Sequence, residues 1–367
     1  MITISLCMIV KNEEAVLERL LRTMSTVADQ IVIMDTGSTD RTKEIAARYT
    51  DEVYDFPWTD DFAAARNAVC QKAVSDYWMW MDADDVMEPE QAARLKNLKE
   101  TLDPSVDVVM MKYLTGFDEN GRTSFSYYRE RILKNHKGFR WQGRVHEAVP
   151  PAGNILYTDI EIQHRKEGAG DKDRNLRIYE TMLSQGEPLE PRHQFYYARE
   201  LYYHERYEDA VRVFRAFLQE PDGWVENKID ACLHLALCEE HLGHTEKAVE
   251  ALLKSFLYDS PRGEACCELG RMKMKEEKYR EAAYWYTQAL SSRPAEQTGA
   301  FVRKDCYGFL PSIQLCVCYD RLGDHRRAWH YHLKSQKLKP EHPSVRQNQT
   351  YFEHKLKRPA EGQPSAL

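Results

Sequence analysis

The sequence predicts an α/β domain with a mostly parallel sheet, followed by an all-α solenoid of helical repeats. Up to about Gln163, short apolar runs alternate with amphipathic stretches, which indicates strands joined by helices on both faces of a sheet. From about Pro188 the strand signals end and the helical pattern repeats itself. At 367 residues the chain is also longer than one hydrophobic core usually covers, which favours at least two domains.

The α/β part is predicted from four apolar runs, each followed by a helical pattern. In such sheets ligands bind at the carboxyl ends of the strands, where polar residues follow three of these runs. The predicted strands are ITISLCMIV (2–10), QIVIMD (30–35), DEVYDF (51–56) and DYWMWMD (76–82), and the predicted helices cover 15–24, 38–49, 61–74 and 88–102.

The repetitive part has the period of the tetratricopeptide repeat, because Ala248 and Ala282 lie 34 positions apart in equivalent places. Small residues such as Gly270 let the two helices of a unit approach closely. Four copies are predicted, and the last, aligned on Ala328, follows an insertion of about a dozen residues near 295–308. A generic helical bundle is the alternative, but four copies in register favour a stacked solenoid.

These patterns predict three segments. The α/β domain is expected over 1–186, about four repeats over 187–345, and a partly disordered tail over 346–367 that ends in KRPAEGQPSAL.

Composition excludes several classes of protein. With 51 basic and 58 acidic residues the net charge is −7, so a nucleic-acid-binding surface is not expected. The first residues are apolar only as far as Lys11, which is unlike a signal peptide, and no run approaches the ~20 apolar residues of a membrane span. The nine cysteines show no CxxC spacing and are expected to be buried thiols. We therefore expect a cytoplasmic protein.

The stretch DYWMWMDADDV places three acids, Asp82, Asp84 and Asp85, at the end of a buried strand. Neighbouring carboxylates repel one another and need a compensating charge. Carboxylate oxygens suit Mg²⁺ or Mn²⁺, which can bridge to a diphosphate. For Asp85 the alternative is a local one, in which it caps the helix that opens near Pro89.

The chain as far as about Gln185 resembles the family 2 glycosyltransferases with the GT-A fold. The resemblance rests on MIVKNEE, VIMDTGSTDRT, DDFAAARN and WMDADD, in the order and spacing of that family. The family 2 domain joined to tetratricopeptide repeats further resembles the bacterial peptide S-glycosyltransferases of glycosylated-bacteriocin biosynthesis.

The resemblance implies a UDP-sugar as donor, a divalent cation (Mn²⁺ or Mg²⁺) and a role for each matching residue. Ser38 and Thr39, which follow the second strand, are also candidate caps of the next helix. By this resemblance, Asp35 would contact the uridine, and Glu13 would line the same nucleotide pocket. Arg66 and Asn67 would help to fix the base, ribose and diphosphate end of the nucleotide. Asp82 and Asp84 would hold the cation, and the cation would hold the diphosphate.

Two later segments complete the predicted site. Relatives with a similar G-x-VHE segment place the base here, so Glu147 is the candidate, and an ordinary His–Glu pair is the alternative. His164 is a further candidate metal ligand, or else a structural histidine. Lys166 and Arg174 lie in a loop that could close over the diphosphate, unless they are a solvated charge run. Trp141 belongs either to an acceptor platform or to the core.

Three functions remain open at this point. The first is inverting, metal-dependent transfer from a UDP-sugar to a peptide or protein, with the repeats binding the acceptor. The second is transfer to a cell-surface saccharide, with the repeats used for dimerisation. The third is a non-catalytic scaffold, against which the Asp-x-Asp pair, Asp35 and Glu147 argue. We also expect the chain up to Gly186 to keep nucleotide chemistry by itself. A homodimer is possible through repeat aromatics, namely Tyr196, Tyr202, Tyr284 and Trp285.

Overall fold

The computed structural model describes residues 1–117, 121, 123–167, 171–295 and 298–357. It divides into two compact units, Met1–Trp224 with Glu296–Phe301, and Val225–Ala295 with Val302–Leu367. The division therefore falls at Trp224, whereas the sequence predicted a domain limit after Gly186. All of the predicted tail peptide after Lys357, and residues 296–297 of the predicted insertion, lie outside the described residues.

The first unit contains one sheet whose strands run in the order β3-β2-β1-β4-β7-β6-β8-β5. Strands β3, β2, β1 and β4 are mutually parallel, as predicted, while β7 is antiparallel to both of its neighbours. Among the described strands β1 to β8, four pairings are parallel and three are antiparallel, so this part of the sheet is mixed. The strands are β1 Ile4–Val10, β2 Gln30–Asp35, β3 Val53–Asp55, β4 Tyr77–Trp80, β5 Asp85–Val86, β6 Val108–Phe117, β7 Thr123–Lys134 and β8 Ile155–His164.

Helices cover both faces of this sheet, because its strands alternate between two apolar cores. Leu6 and Met8 of β1 belong to one core, which also contains residues of the helices α1 and α4. Cys7 points to the other core, which includes Val69 of the helix α3. The helices of the first unit are α1 Leu17–Met24, α2 Thr42–Ala46, α3 Phe62–Cys70, α4 Pro89–Thr101, α5 Arg174–Ser184, α6 Pro191–Tyr203 and α7 Tyr207–Phe217.

The second unit is helical apart from the two-residue strand Val302–Arg303. Its first six helices pack as three consecutive pairs, and α6 packs against α7 in the same way in the first unit. The alanines that define the repeat, Ala210, Ala248, Ala282 and Ala328, are all fully buried. The helices are α8 Val225–His241, α9 Thr245–Lys254, α10 Gly263–Lys275, α11 Tyr279–Ser291, α12 Phe309–Arg321, α13 His325–Leu338 and α14 Pro343–Lys357.

Gly270 and helix α14 show how closely the helices of the repeats pack. A Cβ on Gly270 would lie 2.8 Å from the ring of Tyr286, so a larger residue would force the helices apart. Helix α14 extends past the limit predicted at 345 and buries Phe352.

In the described parts of the chain, no helix has both the length and the apolar character that membrane crossing requires.

Candidate active site

The carboxyl ends of β1 and β2 lie side by side, and the two turns that follow them are linked by hydrogen bonds. Asn12 adopts a positive φ of 55°, donates its N–H to Ser38 Oγ at 2.9 Å, and accepts from the Thr39 N–H at 2.8 Å. The expectation that Ser38 and Thr39 cap α2 is therefore wrong, because both are used to fix this pair of turns. The N–H of Thr42, the first residue of α2, is instead bound by Asp40 at 3.0 Å.

Asp35, the last residue of β2, is buried, and only one of its two carboxylate oxygens accepts hydrogen bonds from the described residues. Its Oδ1 accepts from the N–H groups of Gly37 at 2.9 Å and Ser38 at 2.8 Å, a turn that requires the positive φ of 105° at Gly37. Its Oδ2 is buried and has no hydrogen-bond partner among the described residues. A buried acceptor without a donor fits a ligand that brings one, such as the N–H of a uracil ring.

Asp85 is neutralised inside the protein. It accepts hydrogen bonds from Arg131 Nη1 at 3.0 Å, the Tyr113 hydroxyl at 2.8 Å and the Asp82 N–H at 3.1 Å. Both Asp85 and Arg131 are fully buried. Within the described chain the N-cap of α4 is Glu88 and no side chain caps it, so the alternative in which Asp85 is a helix cap is wrong.

Arg131 reaches Asp85 because of an irregularity in β7. The pairing with β6 passes from Val109–Ile132 to Met110–Glu130, which leaves Arg131 as the extra residue of a β-bulge. The bulge turns its guanidinium inward, 3.8 Å from the centre of the Trp80 ring. Strand alternation in the sequence does not predict such a residue.

Asp82 is held by a second arginine. Arg66 of α3 donates from Nη2 to Asp82 Oδ1 at 2.6 Å and from Nε to Glu147 Oε1 at 2.6 Å. Burial acts to raise the pKa of Asp82, but the charges of Arg66 and Arg131 outweigh it and lower the pKa to about 2. The candidate base and the first acid of the Asp-x-Asp pair therefore share one guanidinium.

Asp84 lies beside His164 at the end of β8. Its Oδ1 is 3.3 Å from Nδ1 of His164, which also contacts the Tyr113 hydroxyl at 3.0 Å. Burial lowers the pKa of His164, but its hydrogen bonds with Asp84 and Asp85 outweigh this and raise the pKa to about 10. Asp84, Asp85 and His164 together form a group able to hold a metal ion. The structure thus brings two of the three predicted ligands together and places Asp82 next to them, on Arg66.

Glu13 shows that this corner of the sheet carries excess negative charge. Burial and the charges of Asp84 and Asp82 raise the pKa of Glu13 to about 7, although Lys166 acts against them. Carboxylate oxygens with one imidazole are a donor set that Mn²⁺ and Mg²⁺ accept, and a divalent cation would relieve the repulsion among these acids. The residues present therefore fit the metal implied by the resemblance.

The remaining predicted residues differ in their surroundings, because some are already used within the fold and others are exposed. Asn67 exchanges two hydrogen bonds with the backbone of Trp141, at 3.0 and 2.9 Å, so its amide is already used within the protein. Trp141 is only 3% exposed and belongs to the core, not to an acceptor platform. Lys166 is exposed, and Arg174 begins α5 with its guanidinium 4.6 Å from the Phe62 ring.

Similarities to known proteins cover most of this part of the chain. Residues 5–156 match the model of Glycosyl transferase family 2. A TPR repeat-containing protein of Synechococcus elongatus is 32% identical over 149 residues, which cover 41% of this chain and 36% of the relative. The SPbeta prophage-derived glycosyltransferase SunS of Bacillus subtilis is 26% identical over 228 residues, covering 57% of this chain and 51% of the relative.

A lipopolysaccharide core biosynthesis glycosyltransferase, LpsC of Rhizobium meliloti, is 26% identical over 152 residues, or 39% of this chain and 56% of the relative. The chain thus spans between about a third and somewhat over half of the length of these relatives. The match over 5–156 agrees with the resemblance stated from the sequence: these residues match a family 2 glycosyltransferase domain.

Proposed function

We propose that the protein is an inverting, metal-dependent glycosyltransferase that moves a sugar from a UDP-sugar to a side chain of a peptide or protein. The observation that carries this proposal is the guanidinium of Arg66, which joins Asp82 to Glu147. It places the candidate base one contact away from the acids that would face the donor diphosphate. The similarity to SunS, a glycosyltransferase, supports the same reaction class.

The residues divide the reaction between them. Asp35 accepts from the nucleobase through its unpaired Oδ2, and Asp84 and His164, with Asp82 beside them, would hold the cation. A bound Mn²⁺ or Mg²⁺ supplies positive charge for the leaving diphosphate. Glu147 takes the proton of the acceptor as the acceptor forms its bond to the anomeric carbon. The bond from that carbon to UDP breaks on the opposite face, and UDP leaves with the electron pair.

The repeats are proposed to bind the acceptor, because stacked helical pairs form extended surfaces that suit peptides. A homodimer through the repeats remains a second possible role. Of the aromatic residues proposed for such a contact, Tyr284 is 57% exposed, whereas Tyr196 is buried inside the first unit. Tyr196 is therefore withdrawn from the dimer hypothesis.

The second candidate function is transfer to a saccharide of the cell surface. The similarity to LpsC favours it, because that relative is a glycosyltransferase of lipopolysaccharide core biosynthesis. Both candidates use the same donor chemistry and differ only in the acceptor.

Two measurements test the proposal. The full chain is incubated with Mn²⁺ and each of UDP-glucose, UDP-galactose and UDP-N-acetylglucosamine, and UDP release with water as acceptor is followed. The acceptor is then sought by mass spectrometry of the peptides and surface glycans of the host, with the gene present and deleted. Hexose or N-acetylhexosamine additions that disappear from peptides support the first candidate. Their disappearance from glycans alone would support the second.

A further inference from the structure

Helix α6, which the sequence places in the first repeat, packs against the loop that carries the candidate base. This loop is closed by two backbone hydrogen bonds between Gln142 and Ala148, of 2.9 and 3.2 Å. Its other side is fixed to α3, because the Phe62 N–H donates to the Arg144 carbonyl at 2.8 Å. Glu147 lies between these two anchors.

His146, directly before Glu147, is where α6 holds the loop. Its Nε2 lies 2.7 Å from Oε1 of Glu200, and its ring stacks on Tyr196 with the centroids 4.3 Å apart and the planes within 11°. Arg192 donates from Nε and Nη2 to the His146 carbonyl at 3.3 and 3.2 Å. Residues 192, 196 and 200 follow one another at intervals of four, so they form a single stripe along α6.

The backbone of this loop has unusual φ angles, and the contacts from this stripe of α6 hold it in that conformation. His146 has a positive φ of 51°, a conformation that residues other than glycine rarely adopt. Gly143 has a φ of 94°, and a Cβ there would lie 2.2 Å from the ring of His193, also on α6. The close approach of α6 therefore depends on the glycine and holds His146 in its strained turn. That turn sets the direction in which the next residue, Glu147, leaves the backbone.

Glu200 is suited to such a task because it is itself fixed. It is 7% exposed, and its Oε1 also accepts from Nδ2 of Asn175 on α5 at 3.1 Å. Burial acts to raise the pKa of Glu200, but the hydrogen bond from His146 leads the groups that lower it overall. Glu200 thus contacts both neighbours, and a hydrogen bond from His146 to Glu200 requires the proton of that imidazole to be on Nε2.

We propose that Glu200 is a positioning residue for the base: through His146 it fixes the turn from which Glu147 reaches Arg66 and the acceptor. This inference rests on the proposed function, in which Glu147 takes the acceptor proton. It assigns α6 to the catalytic machinery, a role that the repeat pattern of the sequence does not suggest.

The test compares full-length variants with the unmodified chain. Glu200→Ala removes the acceptor of the His146 hydrogen bond, and Glu200→Gln keeps an acceptor oxygen. Glu180→Ala is the matched control, because Glu180 lies on neighbouring α5 and pairs with Arg206 without touching the loop. Each protein is assayed for UDP release from the UDP-sugar that the unmodified chain turns over fastest, and for calorimetric binding of UDP with Mn²⁺.

Glu200→Ala is expected to lower kcat by about 10- to 100-fold, because a small misplacement of a reacting group has effects of that size. UDP binding should stay within about threefold of the unmodified chain, Glu200→Gln should recover part of the rate, and Glu180→Ala should change neither. If Glu200→Ala turned over normally, or if it lost UDP affinity as much as rate, the inference would be wrong. Should Glu200→Ala fail to fold, Tyr196→Leu against Tyr196→Phe makes the same comparison.

A double variant separates positioning from general damage. If Glu200 acts through Glu147, Glu147→Gln with Glu200→Ala should be no more than about threefold slower than Glu147→Gln alone. Independent, multiplied losses would contradict the inference. If Glu147→Gln by itself kept full turnover, the base assignment of the proposed function would be the part that failed.

A further measurement does not depend on enzymatic activity, so it can also be made on a preparation that shows no turnover. Hydrogen exchange of the segment Gln142–Ala148 should be faster in Glu200→Ala than in the unmodified chain and in Glu180→Ala. Equal exchange in all three would overturn the inference whatever the activity.

Discussion

Nε of Arg66 lies 2.6 Å from Oε1 of Glu147, and this contact links the candidate base to the acid cluster. The other arm of the guanidinium binds Asp82, and its Cζ lies 5.1 Å from the ring centre of Trp80 and 4.8 Å from that of Trp141. The guanidinium is planar and reaches both carboxylates at once, which a lysine could not do. Arg66 therefore acts as a shared counter-ion, in addition to any contact that it makes with a nucleotide.

Removing this counter-ion should destabilise the first unit. Arg66→Met removes the cation that both Asp82 and Glu147 contact, and loss of one partner from a buried ion pair costs about 3 kcal/mol or more. Urea unfolding at pH 7 measures the change. Arg41→Met is the control, because Arg41 pairs with Glu14 on an exposed surface, where a pair contributes about 1 kcal/mol or less. Equal effects of the two substitutions would contradict the role of Arg66 as a buried counter-ion.

Glu147→Gln should separate binding from transfer. The amide keeps the shape of the side chain but cannot take a proton, so transfer is expected to fall by roughly 10²–10⁴. Calorimetric binding of UDP with Mn²⁺ should change little, since the proposed role of Glu147 is to take the proton of the acceptor and not to hold the nucleotide. A parallel loss of binding and transfer would mean that Glu147 supports the fold or the nucleotide. A thiol acceptor would reduce the effect, because thiols ionise more easily.

Turnover should require a divalent cation. UDP release is expected to stop in excess chelator and to return with Mn²⁺ or Mg²⁺. Asp84→Asn should lower it by about 100-fold, because it removes a charge from the group formed with His164. The matched control is Asp51→Asn, at an exposed position away from the site. Undiminished turnover in chelator would refute the metal assignment.

The sequence predicts best those elements whose signal is local. Strand β2 occupies 30–35 as predicted, because a strand buried on both faces reads as a continuous apolar run. Strands β6 and β7 were not predicted: in β7, charged and aromatic residues are mixed, and a bulge at Arg131 breaks the alternation. The antiparallel half of the sheet is therefore visible only in three dimensions.

The same reason explains which site residues were missed. Asp82, Asp84 and Asp85 stand out in the sequence, but their counter-ions are distant in the chain. Arg131 is 46 residues from Asp85, and Arg66 is 16 residues from Asp82 and 81 from Glu147. The one sequence signal for Arg131 is that it is a charged residue within the strand pattern YYRERILK. No neighbouring residue in the sequence indicates that its partner is Asp85. Glu200 gave no signal, because it sits in a helix that the repeat pattern already explained.

The second unit should respond to acid through Glu240 of α8. Hydrogen bonds from Arg271 and Lys275 lower the pKa of Glu240 from an ordinary 4.5 to about 2. A pKa lowered in the folded state contributes stability above the ordinary value, and this contribution is lost as the pH falls from about 4.5 towards 2. Glu240→Gln should therefore unfold at lower urea than the unmodified chain at pH 7, with a smaller difference at pH 3.5. Glu246→Gln, at an exposed position, is the control, and a difference that grew in acid would contradict the assignment.

The last prediction concerns where the catalytic part can be cut. The sequence led us to expect nucleotide chemistry from a chain ending at Gly186, but that chain lacks α6 and with it the partners of His146. We now expect a chain of residues 1–224, the main segment of the first compact unit, to release UDP within a few-fold of the full-length rate. A chain of residues 1–186 should bind UDP with Mn²⁺, since Asp35 and Asp84 are present, and yet turn over at least about 10-fold more slowly.

Both truncations should fail to modify the natural acceptor if the repeats of the second unit bind it. The measurements are UDP release with water as acceptor, calorimetric UDP binding, and circular dichroism to verify that each shortened chain is folded. Equal turnover by the folded 1–186 and 1–224 chains would show that α6 does not position Glu147. If instead the folded 1–224 chain glycosylated a peptide acceptor as well as the full chain does, the remaining repeats would serve another purpose, such as dimerisation.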